Sequence, residues 1–459
     1  MSPRPSRRPP PPIPGRIWKI AAVTGAGAFM AMLDATLANL ALESIRADTD
    51  STLPVVQWVA TGYLIAMAVS LPASGWLGGR YGYGRVWAAA LAAFILASAL
   101  CALAPGPLSL IGARLLQGLA AGLMIPAGQA VIGSTAGRDQ LGRLFGVLGL
   151  VIGLGPAVGP AFGGLLLEMA SWRWLFWINV PIGIAALVAA RGLVPAGATS
   201  IDRQLDRRGL ALLGIGLPVL LFGATEIGAS GVMALPLLTI IVGTVLAATF
   251  VFTALGARHP LVNLRLLQRG TFASATAITG LTGANMFAGL LLLPLYFQLV
   301  ENRDITEAGW LLLAMGLGSA VALYIGGRIT DRYGAGPVTL IGAGLLILTT
   351  IPFLIPGPLS LSSLVTILVA RGAGLAFAQM PATTAAYASV TPDQIGDAVT
   401  LVNIVQRVGG AVGAAGVVVV LAQTGGSSAP VAYLWAFSAL AALSVLTLVF
   451  AASLRQHGR

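Results

Sequence analysis

Fourteen apolar stretches, each long enough to cross a lipid bilayer, follow one another along this chain. A helix rises about 1.5 Å per residue, so ~20 apolar residues cover a hydrocarbon core ~30 Å thick. On that basis spans are expected near 18–42, 55–77, 85–104, 108–132, 141–167, 174–191, 208–226, 233–256, 271–299, 305–327, 337–356, 360–388, 395–422 and 430–453. Only 9% of the 459 residues are charged, where a soluble domain carries about 25%, so lipid is the solvent this chain needs. The expected class is an all-α membrane protein. Its 59 glycines suit close approach between helices.

Charge placement orients the spans. With the N-terminus inside, the inward segments hold 20 of the 26 Lys and Arg, and the outward segments hold three, Arg46, Arg173 and Arg303. The last three, Arg114, Arg371 and Arg407, fall within spans. Cytoplasmic loops collect the positive charge, so both ends are expected in the cytoplasm of a cell-membrane protein. The net charge of +11 is thereby explained without a nucleic-acid partner, since no basic helix with interleaved aromatics stands out. The basic, Pro-rich residues 1–17 are expected to be an extended cytoplasmic tail, and the first span a retained helix rather than a signal peptide. Cys101, the one cysteine, and the isolated His259 and His457 offer no disulfide framework, and neither a metal site nor a cofactor is expected.

An internal repeat divides the chain. GWLGGRYGYGRV (75–86) aligns with GRITDRYGAGPV (327–338) at an offset of 252 residues, and ARLLQG (113–118) echoes ARGAGL (370–375). Over eight spans that offset gives about 31 residues each, a helix plus a short turn. Two six-helix bundles, 18–191 and 258–459, are therefore expected, with two additional helices over 192–257 between them.

Asp34 is the carboxylate nearest the middle of any span. Burying a charge there costs roughly 2.5–3.5 kcal/mol, and intramembrane acids of this kind mark ion pathways. Asp34 reads as the site that loads and releases a proton, with Arg114 as its counter-charge. A buried Asp satisfied by a neighbouring helix is the alternative, as is snorkelling for Arg114. In the fifth span Gly155, Gly159 and Gly163 share one face at four-residue spacing, with Gly164 beside them and Pro156 and Pro160 on the next stripe. Small residues favour tight contact and prolines weaken helix regularity, a combination suited to a helix that packs closely and still rocks. Gly75, Arg80, Gly82 and Arg85 in the first repeat loop, and Asp331, Arg332 and Gly334 in the second, are expected to form cytoplasmic latches. Asn39, Gln57, Gln117, Asn285 and Gln379 are candidates for lining a substrate cavity, although helix-to-helix hydrogen bonds explain such residues equally well. Trp172, Trp174 and Trp177 are expected in an interfacial aromatic belt.

These segments together resemble the major facilitator superfamily, and within it the fourteen-span drug:proton antiporters of the EmrB/QacA type. LDATLANLAL (33–42), RLLQG (114–118), GPAVGPAFGG (155–164) and SWRWLFWINVPIG (171–183) carry the resemblance, and NIVQRVGGAVG (403–413) is a weaker match. The resemblance implies proton coupling at Asp34 and Arg114, an antiporter motif over 155–164, and a latch at Gly75, Arg80, Gly82 and Arg85. The family's latch loop usually has an acid where this chain has Gly79, while Asp331 keeps it in the second half. The function so implied is proton-coupled export of small lipophilic drugs or toxic metabolites by alternating access, with an uptake symporter or facilitator as the alternative. A membrane enzyme or receptor lacks a loop or constellation to support it. Counting one deep acid, neutral, zwitterionic or monocationic lipophiles are the expected substrates, while Arg371 and Arg407 leave a weakly anionic one open.

Overall fold

The computed structural model describes residues 12–200, 204–230, 234–257, 260–355, 357, 359–424 and 430–457. Most of the tail expected over 1–17, and His259, lie outside them. Fourteen long helices carry the architecture. They are α1 (Gly15–Leu40), α2 (Val55–Tyr81), α3 (Tyr83–Ala102), α4 (Pro107–Thr135), α5 (Leu141–Met169), α6 (Trp174–Leu193) and α7 (Arg207–Ser230). There follow α8 (Ala234–Gly256), α9 (Gly270–Leu299), α10 (Ile305–Tyr333), α11 (Ala335–Leu354), α12 (Leu361–Ala388), α13 (Ile395–Gln423) and α14 (Pro430–His457). Over the described residues, twelve are long and apolar enough to cross a membrane. α5 and α7, 29 and 24 residues long, complete the set.

The helix ends fall within a few residues of the sequence expectation, with one informative exception. The repeats at 75–86 and 327–338, expected as loops, are almost wholly helical. α2 continues to Tyr81 and α10 to Tyr333, and each turns through a single glycine, Gly82 at φ 92° and Gly334 at φ 88°. In hydrocarbon no water satisfies a freed N–H or C=O, so Gly75, Gly78 and Gly79 stay helical despite their low propensity. Only the positive φ requires glycine.

Helices α1–α6 pack on one another, as do α9–α14, and α7 and α8 pair with each other, α7 also touching α2 and α13. Four apolar clusters stay inside one half or the other. The largest cluster joins the halves and contains Leu144 and Phe145 of α5, Phe272 of α9, Tyr387 of α12 and Ile395 of α13. Trp18 near the start of α1 and Leu454 near the end of α14 belong to that same cluster, so it marks the end of the bundle where both termini lie.

At that end the halves interlock through small residues. A Cβ on Gly142 of α5 would meet Gly327 O of α10 at 2.9 Å, and one on Gly146 would meet Leu323 O at 2.7 Å. Ser74 and Thr400 share a hydrogen bond of 3.0 Å, and Asn403 Nδ2 donates to Gln129 Oε1 at 2.8 Å. The ion pairs at the opposite end stay within a half: Arg173 with Asp48, and Arg303 with Glu307. The molecule is thus closed at its terminal end.

Candidate functional site

Asp34 and Arg114, 1% and 0% exposed, form an ion pair inside the first half. Arg114 Nη1 donates to Asp34 Oδ2. The other carboxylate oxygen, Oδ1, accepts from Gln117 Nε2 at 3.0 Å and from Asn179 Nδ2 at 2.8 Å. Three donors from α4 and α6 therefore converge on one acid of α1. A buried charge is costly unless paired and fully hydrogen-bonded, and this carboxylate meets both conditions.

The arginine is held at three points, with Nη2 alone lacking a hydrogen-bond partner among the described residues. Its Nε donates to Val59 O at 2.9 Å, Nη1 also reaches Gln117 Oε1 at 2.7 Å, and its guanidinium lies 4.2 Å from the Tyr63 ring centroid. Gly118 and Gly122 allow this approach of α4 to α2, because a Cβ on either would come within 2.3 Å of Tyr63 O or Met67 O. Tyr63 Oη in turn donates to Ala31 O at 3.1 Å, tying α2 to α1 one turn before Asp34. Ser98 links Asn179 (3.1 Å) to Phe176 O (2.9 Å), which fixes the start of α6.

The second half has a version of this site without the acid. Arg371 of α12, 1% exposed, donates from Nη2 to Asn285 Oδ1 at 2.7 Å and from Nη1 to Thr350 Oγ1 at 2.9 Å. Asn285 of α9 donates to Ser444 Oγ at 2.8 Å and Leu440 O at 3.2 Å. No carboxylate pairs with Arg371 among the described residues, and its Nε has no partner there.

The other expected site residues separate into groups. On α5, a Cβ on Gly159 would meet Thr36 Cγ2 at 2.7 Å and one on Gly163 would meet Leu37 Cδ2 at 2.6 Å, so both glycines press α5 onto α1. Gly164 has open space beside it, and the side chains at Gly155, Pro156 and Pro160 lie outside the described residues. Gly75 sits against Thr400 and Asp397 of α13. Arg80 lies over the Trp76 and Tyr81 rings at 5.8 and 5.7 Å, Arg332 over Tyr333 at 5.3 Å, and exposed Arg85 reaches Tyr81 O at 3.4 Å. Asp331 bridges the halves: it accepts from Arg143 Nε at 2.7 Å and from Arg143 N at 3.3 Å. At Gly79, where the family pattern has an acid, the carbonyl accepts from Ser200 N at 3.0 Å.

Of the cavity candidates, Asn39, Gln57 and Gln379 keep exposed surface, and Asn39 bonds its own helix at Ala35 O. Gln117 and Asn285, both 0% exposed, are corrected to buried partners of Arg114 and Arg371, because an arginine without bulk water draws in every nearby amide. Trp172 is likewise no belt residue. It is 3% exposed, with Nε1 donating to Asp48 Oδ2 at 3.0 Å, whereas Trp174 is 57% exposed. The donors from Arg173 and then Trp172 hold the Asp48 carboxyl below the usual carboxylate range.

Sequence reasoning missed Asn179, Ser98, Tyr63, Gly142 and Arg143 as site or seam residues. An Asn in the otherwise apolar WLFWINVPIG run was the signal available for Asn179. Among the described residues no group of three or more His, Cys, Asp or Glu could hold a metal.

Stacked apolar helices with a buried ion pair, in two halves that meet along a seam, make a multi-pass membrane protein, and its family makes it a transporter rather than an enzyme. The chain belongs to the Major Facilitator Superfamily, which matches residues 24–414 and, overlapping, 291–457. It is 36% identical over 405 residues to the multidrug resistance protein B homolog of Mycobacterium tuberculosis, covering 87% of this chain and 75% of that protein. With the tetracenomycin C resistance and export protein of Streptomyces glaucescens it shares 30% over 425 residues, covering 91% and 78%. The proton:xylose symporter XylE has a similar fold, with a TM-score of 0.64 at 15% identity over 95% of each chain.

Proposed function

We propose that this protein is a proton-coupled exporter of small lipophilic compounds, with fourteen spans and both termini in the cytoplasm. The observation that carries the reading is the Asp34–Arg114 ion pair sealed among α1, α4 and α6. Paired, the carboxylate is charged and satisfied. A movement that draws Arg114 away leaves a bare carboxylate in low dielectric, where taking up a proton relieves the cost. α5 supplies a route for such movement, since it touches α1 through Gly159 and Gly163 and α10 of the other half through Gly142 and Gly146. Opening of the seam at the terminal end, where Arg143 meets Asp331, is thereby tied mechanically to the helix that carries Asp34.

Export, and drugs or toxic metabolites as cargo, are supported by the multidrug and tetracenomycin relatives. The fourteen-span count adds α5 and α7 to the twelve apolar helices, with α7 and α8 as the extra pair between two six-helix bundles. The 20-to-3 charge asymmetry supports cytoplasmic termini. Partners are then a lipophilic substrate, protons and the bilayer, and the latch is carried by Asp331 and Arg143 in place of the acid missing at Gly79.

Asp34→Asn tests the proposal in everted vesicles. The variant should insert normally and lose uphill substrate accumulation, since a potential of 100 mV supplies only ~2.3 kcal/mol per charge and Asn carries no proton. Undiminished accumulation by that variant would remove Asp34 from the coupling role. Substrate moving out of everted vesicles would favour uptake instead. A reporter fused after residue 229 should lie outside and one at the C-terminus inside.

A further inference from the structure

Arg407 has no structural explanation in the site just described. It stands near the middle of α13, one turn beyond Asn403, whose bond to Gln129 closes the seam on the terminal side. Its described hydrogen bond runs from Nη2 to Met67 Sδ of α2 at 3.7 Å, across the two halves. A thioether is a weak acceptor, and a guanidinium with five N–H donors cannot shed its charge. The buried acids of the two halves are already taken, Asp34 by Arg114 and Asp331 by Arg143. Arg407 nevertheless remains only half-buried. The side chain is wedged between α13 and α2 of opposite halves and so lies at the seam, one turn from the Gln129–Asn403 contact.

The charge count there is one-sided. Asp34 and Arg114 cancel, Arg371 has only neutral partners, and Arg407 adds a second uncompensated cation. We propose that Arg407 anchors an anionic group, a carboxylate, sulfonate or ionised phenol, on an otherwise lipophilic substrate. Arg371 adds to the positive potential from inside the same half. The planar fork of a guanidinium matches such groups bidentately, and desolvation at mid-membrane strengthens the bond. This inference rests on the transport of lipophilic compounds proposed above and narrows it to acids.

The probes are pyrenebutyrate and its methyl ester, which differ only in the charge. Binding to the purified protein in lipid nanodiscs is followed by fluorescence, with empty nanodiscs as baseline. The acid should bind about tenfold to a hundredfold tighter than the ester, the worth of a hydrogen-bonded charge pair. Arg407→Gln should erase that preference while changing the ester's affinity far less, and Arg407→Lys should restore part of it. Equal binding of acid and ester by the unaltered protein overturns the inference, whatever the variants do. So does an equal loss of both in Arg407→Gln. Uptake of the same probes into everted vesicles separates the two proposals: acid preference without transport counts against the exporter, and transport without acid preference counts against the anchor.

Discussion

Each half of the molecule buries an arginine on the helix of the ARLLQG or ARGAGL echo, but only the first half sets an acid against it. Arg114 meets Asp34, and Arg371 meets Asn285. Asp34 lies on the first helix of its half and Asn285 on the first helix of the other, 251 residues later, close to the 252-residue offset of the repeat. The scaffold of the site has been kept while its titratable group has not. The difference teaches where charge can change. The α1 site sets an acid against its arginine, whereas the α9 site keeps an arginine with only neutral partners. Under the proton-coupled export proposed above, only the first half would contribute a proton-dependent switch, with the other as its static counterpart.

The largest expected contrast comes from removing each arginine. Arg114→Leu strands a buried carboxylate and should cost ~3–5 kcal/mol in heat-induced unfolding of the purified protein. Arg371→Leu strands only an amide oxygen and a hydroxyl, so about 1–3 kcal/mol is expected. Equal losses would mean that the two sites are equivalent in charge after all.

A smaller contrast lies in the neighbouring donors. Asn179→Ala removes a hydrogen bond to a charged acceptor and should cost about 1.5–3 kcal/mol, against about 0.5–1.5 kcal/mol for Ser444→Ala beside neutral Asn285. Asn179→Ala should also shift the pH dependence of transport, because it loosens Asp34, while Ser444→Ala leaves that profile in place. A matching shift in both variants would contradict a switch confined to α1.

The packing that supports the acid can be tested on one motif. Gly159→Leu forces apart α5 and α1 at Thr36 and should cost about 1–3 kcal/mol together with transport. Gly164→Ala, five residues on and facing open space, should be neutral or more stable by about 0.5–1 kcal/mol. Normal efflux from Gly159→Leu would show that the α1–α5 contact carries no motion.

Rebuilding the missing acid should have the smallest effect. Asn285→Asp gains an ion pair with Arg371 against a desolvation cost of similar size, so stability should move by only about 1 kcal/mol. Combined with Asp34→Asn, it should leave accumulation uncoupled, since beside Arg371 position 285 meets Ser444 and the Leu440 carbonyl, where Asp34 has the amide donors Gln117 and Asn179. Rescue by this double variant would make the two halves interchangeable.

Helix positions, the repeat, and a buried acid at Asp34 were legible in the sequence because each depends on local quantities. Bilayer thickness fixes the length of an apolar run whatever the run packs against, and a lone acid in hydrocarbon is costly in any fold. What the carboxylate touches was not legible. Its donors lie 80, 83 and 145 residues away, and the seam pair Arg143–Asp331 is 188 residues apart. Those distances are closed by helix rotation and by the depth to which Gly118, Gly122, Gly142 and Gly146 let backbones approach; four-residue glycine spacing marks a helix that packs closely but does not name its partner. The same reason explains why Gln117 and Asn285 read equally well as cavity lining and as arginine partners. Composition determined that these amides sit in membrane helices, and only the tertiary packing decided that they face inward, each against the arginine of its own half.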